Sequence, residues 1–394
     1  MKRKKLLKRI GELFFLIITL RPITRPIKYW LLKEYPLSKK YKQYKYDNNV
    51  IVRDNSILIF EPNTFHGEIL PGYVKYCLDL GYNVDVLVRY ENIDWETFSR
   101  ISDKRLRVFG FASWNLKKIL KSKQISQYEN ILITSSCFMI MPHGKRLESF
   151  AEFLNDNKII LRPGNKVLLV EHDPRAHVEK YDEYNFINEN RLFVLAKNYY
   201  DIPILCPAYF GDIDKTRRKN KTVGFICTGT VWAKDTDQVY KSIDKLLSQG
   251  IDNFRITICG GGKFKIPEQY KKYIRFMGFI KFSEMYELLE RADFILGLLD
   301  VFKQNDYLHG KITGNLLQAF GFATPIILNR IFAENYGLSE KDTIMYDKKD
   351  LYPAMFSAIK MTASEYDDMR GHLIKLAENI SNESITNLKK SIKC

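Results

Sequence analysis

The sequence predicts an α/β protein of two doubly wound domains facing each other across a cleft, preceded by a basic amphipathic arm. Three observations carry that prediction. Short apolar runs alternate with helical stretches along the body, and the runs are continuous, as strands covered on both faces require. This grammar occurs twice, on either side of the polar run DIDKTRRKNK at 212–221. The charge is also lopsided: of a net +16, residues 1–45 contribute +12, through 14 Lys and Arg against Glu12 and Glu34. At 394 residues the chain is long enough for two separate cores.

The arm, residues 1–50, comes first. Its apolar run LFFLIITL at 13–20 has eight residues, fewer than the roughly 20 that span a bilayer, and no small-residue cleavage site follows. Basic and apolar residues interleave as far as Tyr29, Trp30, Leu31 and Leu32. That pattern fits a segment lying on an anionic leaflet, where each Lys or Arg contributes about 1 kcal/mol. The body shows no aromatic platform interleaved with a basic groove, so nucleic acid is not expected as a partner.

The first domain, 51–211, opens with strand SILIFEP, loop NTFHGE, helix ILPGYVKYCLDLGY and strand NVDVLV, followed by strands NILIT, KVLLVEH and RLFVLA. Residues 212–222 form the linker. The second domain, 223–370, repeats the scheme: strand VGFICTG, a helix over about 236–249, strands FRITICGGG and YIRFMGF, and helix SEMYELLERA with Ser283 as its N-cap. Strand DFILGLLD, a helix from Gly314 and strand TPIILN complete it, and a helix in 371–394 is expected to cross back towards the first domain. The six cysteines show no CxxC pair and read as small buried hydrophobes in a reducing compartment.

In doubly wound sheets ligands bind beyond the carboxyl ends of the strands, so the loops there are where chemistry is sought. Three loops of the second domain stand out: Thr228-Gly229-Thr230, Gly260-Gly261-Gly262, and Lys311-Ile312-Thr313-Gly314 running into a helix. Small residues let backbone N–H groups approach an anion, and a helix N-terminus carries about half a positive charge. Together the loops suit a diphosphate, with Lys311 as counter-charge.

The ordered set ICGGG, IRFMGFIKFSEMYELLERADFILGLLD and GNLLQAFGFATPIILN, with IFEPNTFHGEILPGYVKYCLDLGYNVDVLV near the start, resembles bacterial glycosyltransferases of the GT-B fold, of the capsule or lipopolysaccharide type. The resemblance runs from about 56 to 385. It implies two Rossmann-like domains, an acceptor domain followed by a nucleotide-sugar domain. By position it implies that Thr228, Gly229, Thr230 and the loop at Phe276–Gly278 flank the donor nucleotide, Gly278 included, while Lys311, Thr313, Gly314 and Asn315 hold the diphosphate. Many retaining members carry two glutamates separated by seven residues, the second on the ribose hydroxyls. Here those positions fall on Gly310 and Gln318, and an amide accepts more weakly than a carboxylate. That departure leaves retention and inversion both open.

For the acceptor side, His66 and Glu68 follow the first strand, and His172 with Asp173 ends KVLLVEHD. Either a histidine near its ordinary pKa or a glutamate with a raised one suits proton abstraction from a hydroxyl. His143 and His309 are weaker candidates. The two D-x-D sequences, Asp212–Asp214 and Asp235–Asp237, lie in polar stretches, so no metal site and no cofactor are expected. The resulting expectation is a glycosyltransferase, cytoplasmic and peripheral at the inner face of the membrane. It would move sugar from a nucleotide-sugar donor to a membrane-associated glycan or lipid-linked acceptor in cell-surface polysaccharide synthesis. A nucleotide-sugar epimerase of the same architecture and a non-catalytic binding protein are the alternatives, the latter favoured by Gly310 and Gln318.

Overall fold

A computed structural model describes residues 39–393 apart from 47–48, 113–115, 140–146, 150–165, 176–186, 188, 197–199, 231–233 and 263. The apolar part of the arm and His143 lie outside the described residues.

The first sheet contains β1 (Ser56–Glu61), β2 (Asn83–Arg89), β3 (Leu106–Phe111), β4 (Asn130–Ile133), β7 (Lys166–Glu171) and β8 (Leu192–Val194). A small antiparallel pair, β5 (Cys137–Met139) and β6 (Leu147–Ser149), is inserted after β4. The second sheet contains β9 (Val223–Thr228), β10 (Phe254–Cys259), β11 (Ile274–Gly278), β12 (Phe294–Leu296), β13 (Ile326–Asn329) and β14 (Thr343–Tyr346). Both six-stranded sheets are parallel throughout. Their orders, β3-β2-β1-β4-β7-β8 and β11-β10-β9-β12-β13-β14, are the same path traced twice. The winding reverses between β1 and β4 and again between β9 and β12, which opens a crevice at each point.

Every residue of β1 is buried, because helices cover both faces of the sheet and remove the alternation a one-sided strand would show. Two strands that the apolar runs do not announce, β3 and β14, lie at sheet edges. The first three residues of β3 are half exposed and include Arg107, whose guanidinium leaves the sheet to pair with buried Asp85 at 2.6 Å. β14 is only four residues long. The Ser283 N-cap also needs correcting. The helix is Phe282–Arg291 with Lys281 at its N-cap, and the Ser283 hydroxyl instead donates to Glu96 of the first domain at 2.6 Å.

One apolar core runs through both domains. Phe210 stacks on Phe322 with ring centroids 5.4 Å apart, and a β-carbon on Gly321 would lie 2.2 Å from the Phe210 ring. Arg100 adds a two-pronged pair to Glu290 at 2.9 and 3.0 Å. The helix Ala363–Lys393 touches both halves: Tyr366 donates to the Asp293 carbonyl at 3.2 Å, while Ser384 accepts from the Cys206 amide at 2.9 Å. Arg370 on the same helix is buried and donates to the carbonyls of Asp214, Lys215, Arg217 and Ala323. Cys77, Cys206, Cys227 and Cys259 are buried free thiols. Among the described residues no helix is long and apolar enough to cross a membrane.

Candidate functional site

On the second domain the glycine-bearing loops that end β9, β10 and β11 are stitched together by backbone. Gly229 takes φ 99° at the end of β9, and its N–H donates to the Cys259 carbonyl at 2.9 Å. The Gly260 N–H in turn donates to the Gly278 carbonyl at 2.8 Å. A β-carbon on Gly260 would lie 1.6 Å from the Gly229 carbonyl oxygen, so only glycine lets the two loops meet. Gly314 differs, since a β-carbon there would meet nothing within 4 Å. It is the first residue of the helix Gly314–Phe322, whose N-cap Thr313 makes no side-chain cap. The space beside Gly314 is thus open at the helix N-terminus, where the dipole favours an anion.

Beneath this opening lies a buried polar chain. The Thr228 hydroxyl donates to Gln318 Oε1 at 2.6 Å, Asn315 Nδ2 donates to Thr228 Oγ1 at 2.7 Å, and Lys234 Nζ donates to Asn315 Oδ1 at 2.5 Å. Asn315 and Gln318 are only 2% and 3% exposed. They brace Thr228 from below, with their amide oxygens already engaged, while Gly229 and Thr230 are the exposed members of the loop. Lys234 is a site residue that the sequence motifs do not single out. Its Nζ also donates to the Gly297 carbonyl at 3.1 Å, and burial lowers its pKa. The available signal is a single lysine between the glycine loop and the helix Asp237–Ser248.

On the first domain, His66 sits in the left-handed region at φ 66°, in the turn after β1, and His172 follows β7. Their ring centroids are 4.1 Å apart. His172 Nε2 lies 2.9 Å from the Thr134 carbonyl, which can only accept, so Nε2 carries the proton. Burial first, then His172 and Lys311, hold the His66 pKa well below its ordinary value, and burial lowers that of His172. Both imidazoles are therefore neutral near pH 7. Lys311 reaches across from the second domain to within 3.9 Å of Asp173. Arg175 and Asp306 make a second crossing at 3.2 Å.

The structure therefore gathers His66, His172, Asp173 and Lys311 at one place in the cleft. The Glu68 backbone carbonyl accepts from the Tyr286 hydroxyl at 3.2 Å, at the domain interface, and burial raises the Glu68 carboxyl pKa. His309 follows the short turn Asn305–Leu308, two residues before Lys311.

This architecture is that of the GT-B glycosyltransferases. An alpha-glucosyltransferase in complex with UDP is similar at a TM-score of 0.58 and 12% identity, covering 86% of this chain and 100% of its own. AviGT4, a glycosyltransferase involved in avilamycin A biosynthesis, is similar at 0.50 and 13%, covering 86% and 98%. An alpha-glucosyltransferase with UDP and a 13-mer DNA containing a central A:G mismatch is similar at 0.50 and 13%, covering 84% and 94%. No family model matches the sequence, nor does any curated protein. At these identities the likeness is one of fold.

Proposed function

We propose that the protein is a glycosyltransferase. It takes sugar from a nucleotide-sugar donor on the second domain and moves it to a membrane-associated glycan or lipid-linked acceptor on the first, in cell-surface polysaccharide synthesis. The observation that carries this reading is Lys311 meeting Asp173, His66 and His172 across the cleft. A diphosphate at the open end of Gly314–Phe322 has helix N–H groups and Lys311 against the charge that grows as the sugar leaves. On the other side a neutral imidazole can take the proton of an acceptor hydroxyl. A base with a lowered pKa is a weak one, so leaving-group stabilisation supplies the larger share. Because lysine and the helix end meet the charge, we read the transfer as metal-independent.

The membrane part of the reading rests on charge. Lys117, Lys118, Lys121 and Lys123 are exposed around the turn Leu116–Leu120, while Leu116, Ile119 and Leu120 are buried beneath them. Between 115 and 128 there is no Asp or Glu. Lys45, at the end of the arm, is exposed nearby and bridges to Gly110 of β3. This lysine face, like the basic composition of the arm, suits the inner leaflet.

Thermal melting with UDP, ADP, GDP and their sugars, with and without EDTA, tests the donor half. Stabilisation by one nucleotide family, unmoved by EDTA, is expected; no shift at millimolar concentration overturns it. Co-sedimentation with phosphatidylglycerol against phosphatidylcholine vesicles tests the membrane half. Since one similar structure holds DNA, duplex DNA is the competing ligand. Binding to DNA but not to anionic vesicles would replace the membrane reading.

A further inference from the structure

Glu61 has no part in the scheme above, yet it stands at the crevice. It ends β1, is 0% exposed, and among the described residues it is ion-paired to no lysine, arginine or histidine. A buried carboxylate without a cation is expensive, so its surroundings have to justify it. Three donors converge on it. Oε1 accepts from the Asn63 N–H at 2.7 Å, and Oε2 accepts from the Thr134 hydroxyl at 2.7 Å and the Ser135 hydroxyl at 2.8 Å.

These donors lead to the two histidines. Asn63 begins the loop that reaches His66, and the Thr134 carbonyl is the acceptor for His172 Nε2 at 2.9 Å. A second glutamate repeats the arrangement: Glu171, at the end of β7, accepts from the Asp173 N–H at 2.8 Å and from the Ser136 hydroxyl. Thr134, Ser135 and Ser136 are thus clamped between two strand-terminal carboxylates. The titratable side chain facing Glu61 is Tyr73, whose buried hydroxyl makes no hydrogen bond.

We propose that Glu61 is a positioning residue for the His66–His172 pair. One carboxylate oxygen fixes the start of the His66 loop, and the other fixes the Thr134 peptide whose carbonyl selects the His172 tautomer. The proposal rests on the reading that these histidines serve the transfer. Above pH 7, where Glu61 is ionised, the all-acceptor carboxylate forces both hydroxyls to donate, so the peptide between them has one orientation. An amide of the same shape lets a hydroxyl reverse and frees that peptide.

The test is nitrogen-15 NMR of histidine-labelled full-length protein, wild type against Glu61→Gln, with His66→Gln and His172→Gln providing the assignments. Wild-type His172 is expected to show a single Nε2–H tautomer, and Glu61→Gln to lose that signature and to shift His66. A merely structural carboxylate would show itself differently. Burial lifts the Glu61 carboxyl to about 7, so above that pH the ionised form weighs against the folded state and the amide does not. Glu61→Gln is therefore expected to melt no lower than wild type at pH 8 while its histidines change. Identical tautomers and titrations for both imidazoles in the two proteins would overturn the proposal. Should Glu61→Gln not fold, Thr134→Val keeps the carbonyl, removes one clamping hydroxyl and asks the same question. No transfer is measured, so failure here is distinct from failure of the donor reading, which UDP melting reports by itself.

Discussion

The two domains follow one strand order and differ in what they place at its turning point. Around β1 and β4 the first domain builds with side chains: Glu61, Thr134 and Ser135 lock into one another, and two imidazoles rest on the result. Along β9, β10 and β11, beside its turning point, the second domain builds with backbone: Gly229, Gly260 and Gly278 link their peptides so closely that no side chain fits between the first two. Orienting a proton acceptor takes fixed side-chain donors and acceptors, whereas cradling an anion takes bare N–H groups and a helix end. The same scaffold thus supports two kinds of site, and each should fail in its own way.

The sharpest break is expected at Gly260. Gly260→Ala drives a β-carbon into the Gly229 carbonyl at a residue with φ 155°, and should destabilise the second domain by about 3 kcal/mol or more. Calorimetry should show a fall of about 6–12 °C in its melting. Gly314→Ala is the counterpart, because open space surrounds that position. Its melting should stay within about 0.5 kcal/mol of wild type while UDP binds more weakly. Equal losses of stability at the two glycines would show that the Gly314 opening is packing rather than a site.

Next in size is Lys311. Its side chain is 34% exposed and sits 3.9 Å from Asp173, so Lys311→Ala should hardly move the melting of the unliganded protein. Removing a charge-assisted hydrogen bond to phosphate should weaken UDP affinity about tenfold, which titration calorimetry measures. Unchanged affinity would remove Lys311 from the donor side.

The contrast between the domains also explains what was legible in the sequence. Fully buried strands such as β1 and β9 announce themselves as apolar runs, and backbone-built loops announce themselves as glycines, so the turns that end β9, β10 and β11 could be placed by reading alone. The edge strand β3 escaped because its half-exposed first half is interrupted by Arg107, which pairs with Asp85 opposite it on β2. The clamp around Thr134 escaped for another reason. Glu61 and Thr134 are far apart in sequence and meet only because β1 and β4 are neighbours in the sheet. Gln318 was legible as a departure from the paired-glutamate pattern, but not its partner, since the bond to Thr228 spans 90 residues. Glu68 was placed with His66 by proximity in sequence, and the contact of its backbone carbonyl with Tyr286 of the second domain was not legible there.

The smallest expected effect concerns pH, and it separates the two kinds of group within the first domain. His66 and His172 have folded pKa values below the ordinary 6.5, so the unfolded chain takes up protons first as pH falls. Their contribution is whole above about 6.5 and is lost on acidification below it. Glu61 runs the other way. With a folded pKa of about 7 against 4.5, the folded state holds the proton more tightly, and stability from this group declines as pH rises from 4.5 through 7. Wild type therefore sums two opposing slopes between pH 5.5 and 7, and chemical denaturation of single variants can take the sum apart. His172→Gln should lose less stability than wild type on going from pH 7 to 5.5. Glu61→Gln should lose more, because the gain that partly offset the histidines is gone. If both variants change in the same direction, the opposing slopes do not come from the carboxyl on one side and the imidazoles on the other.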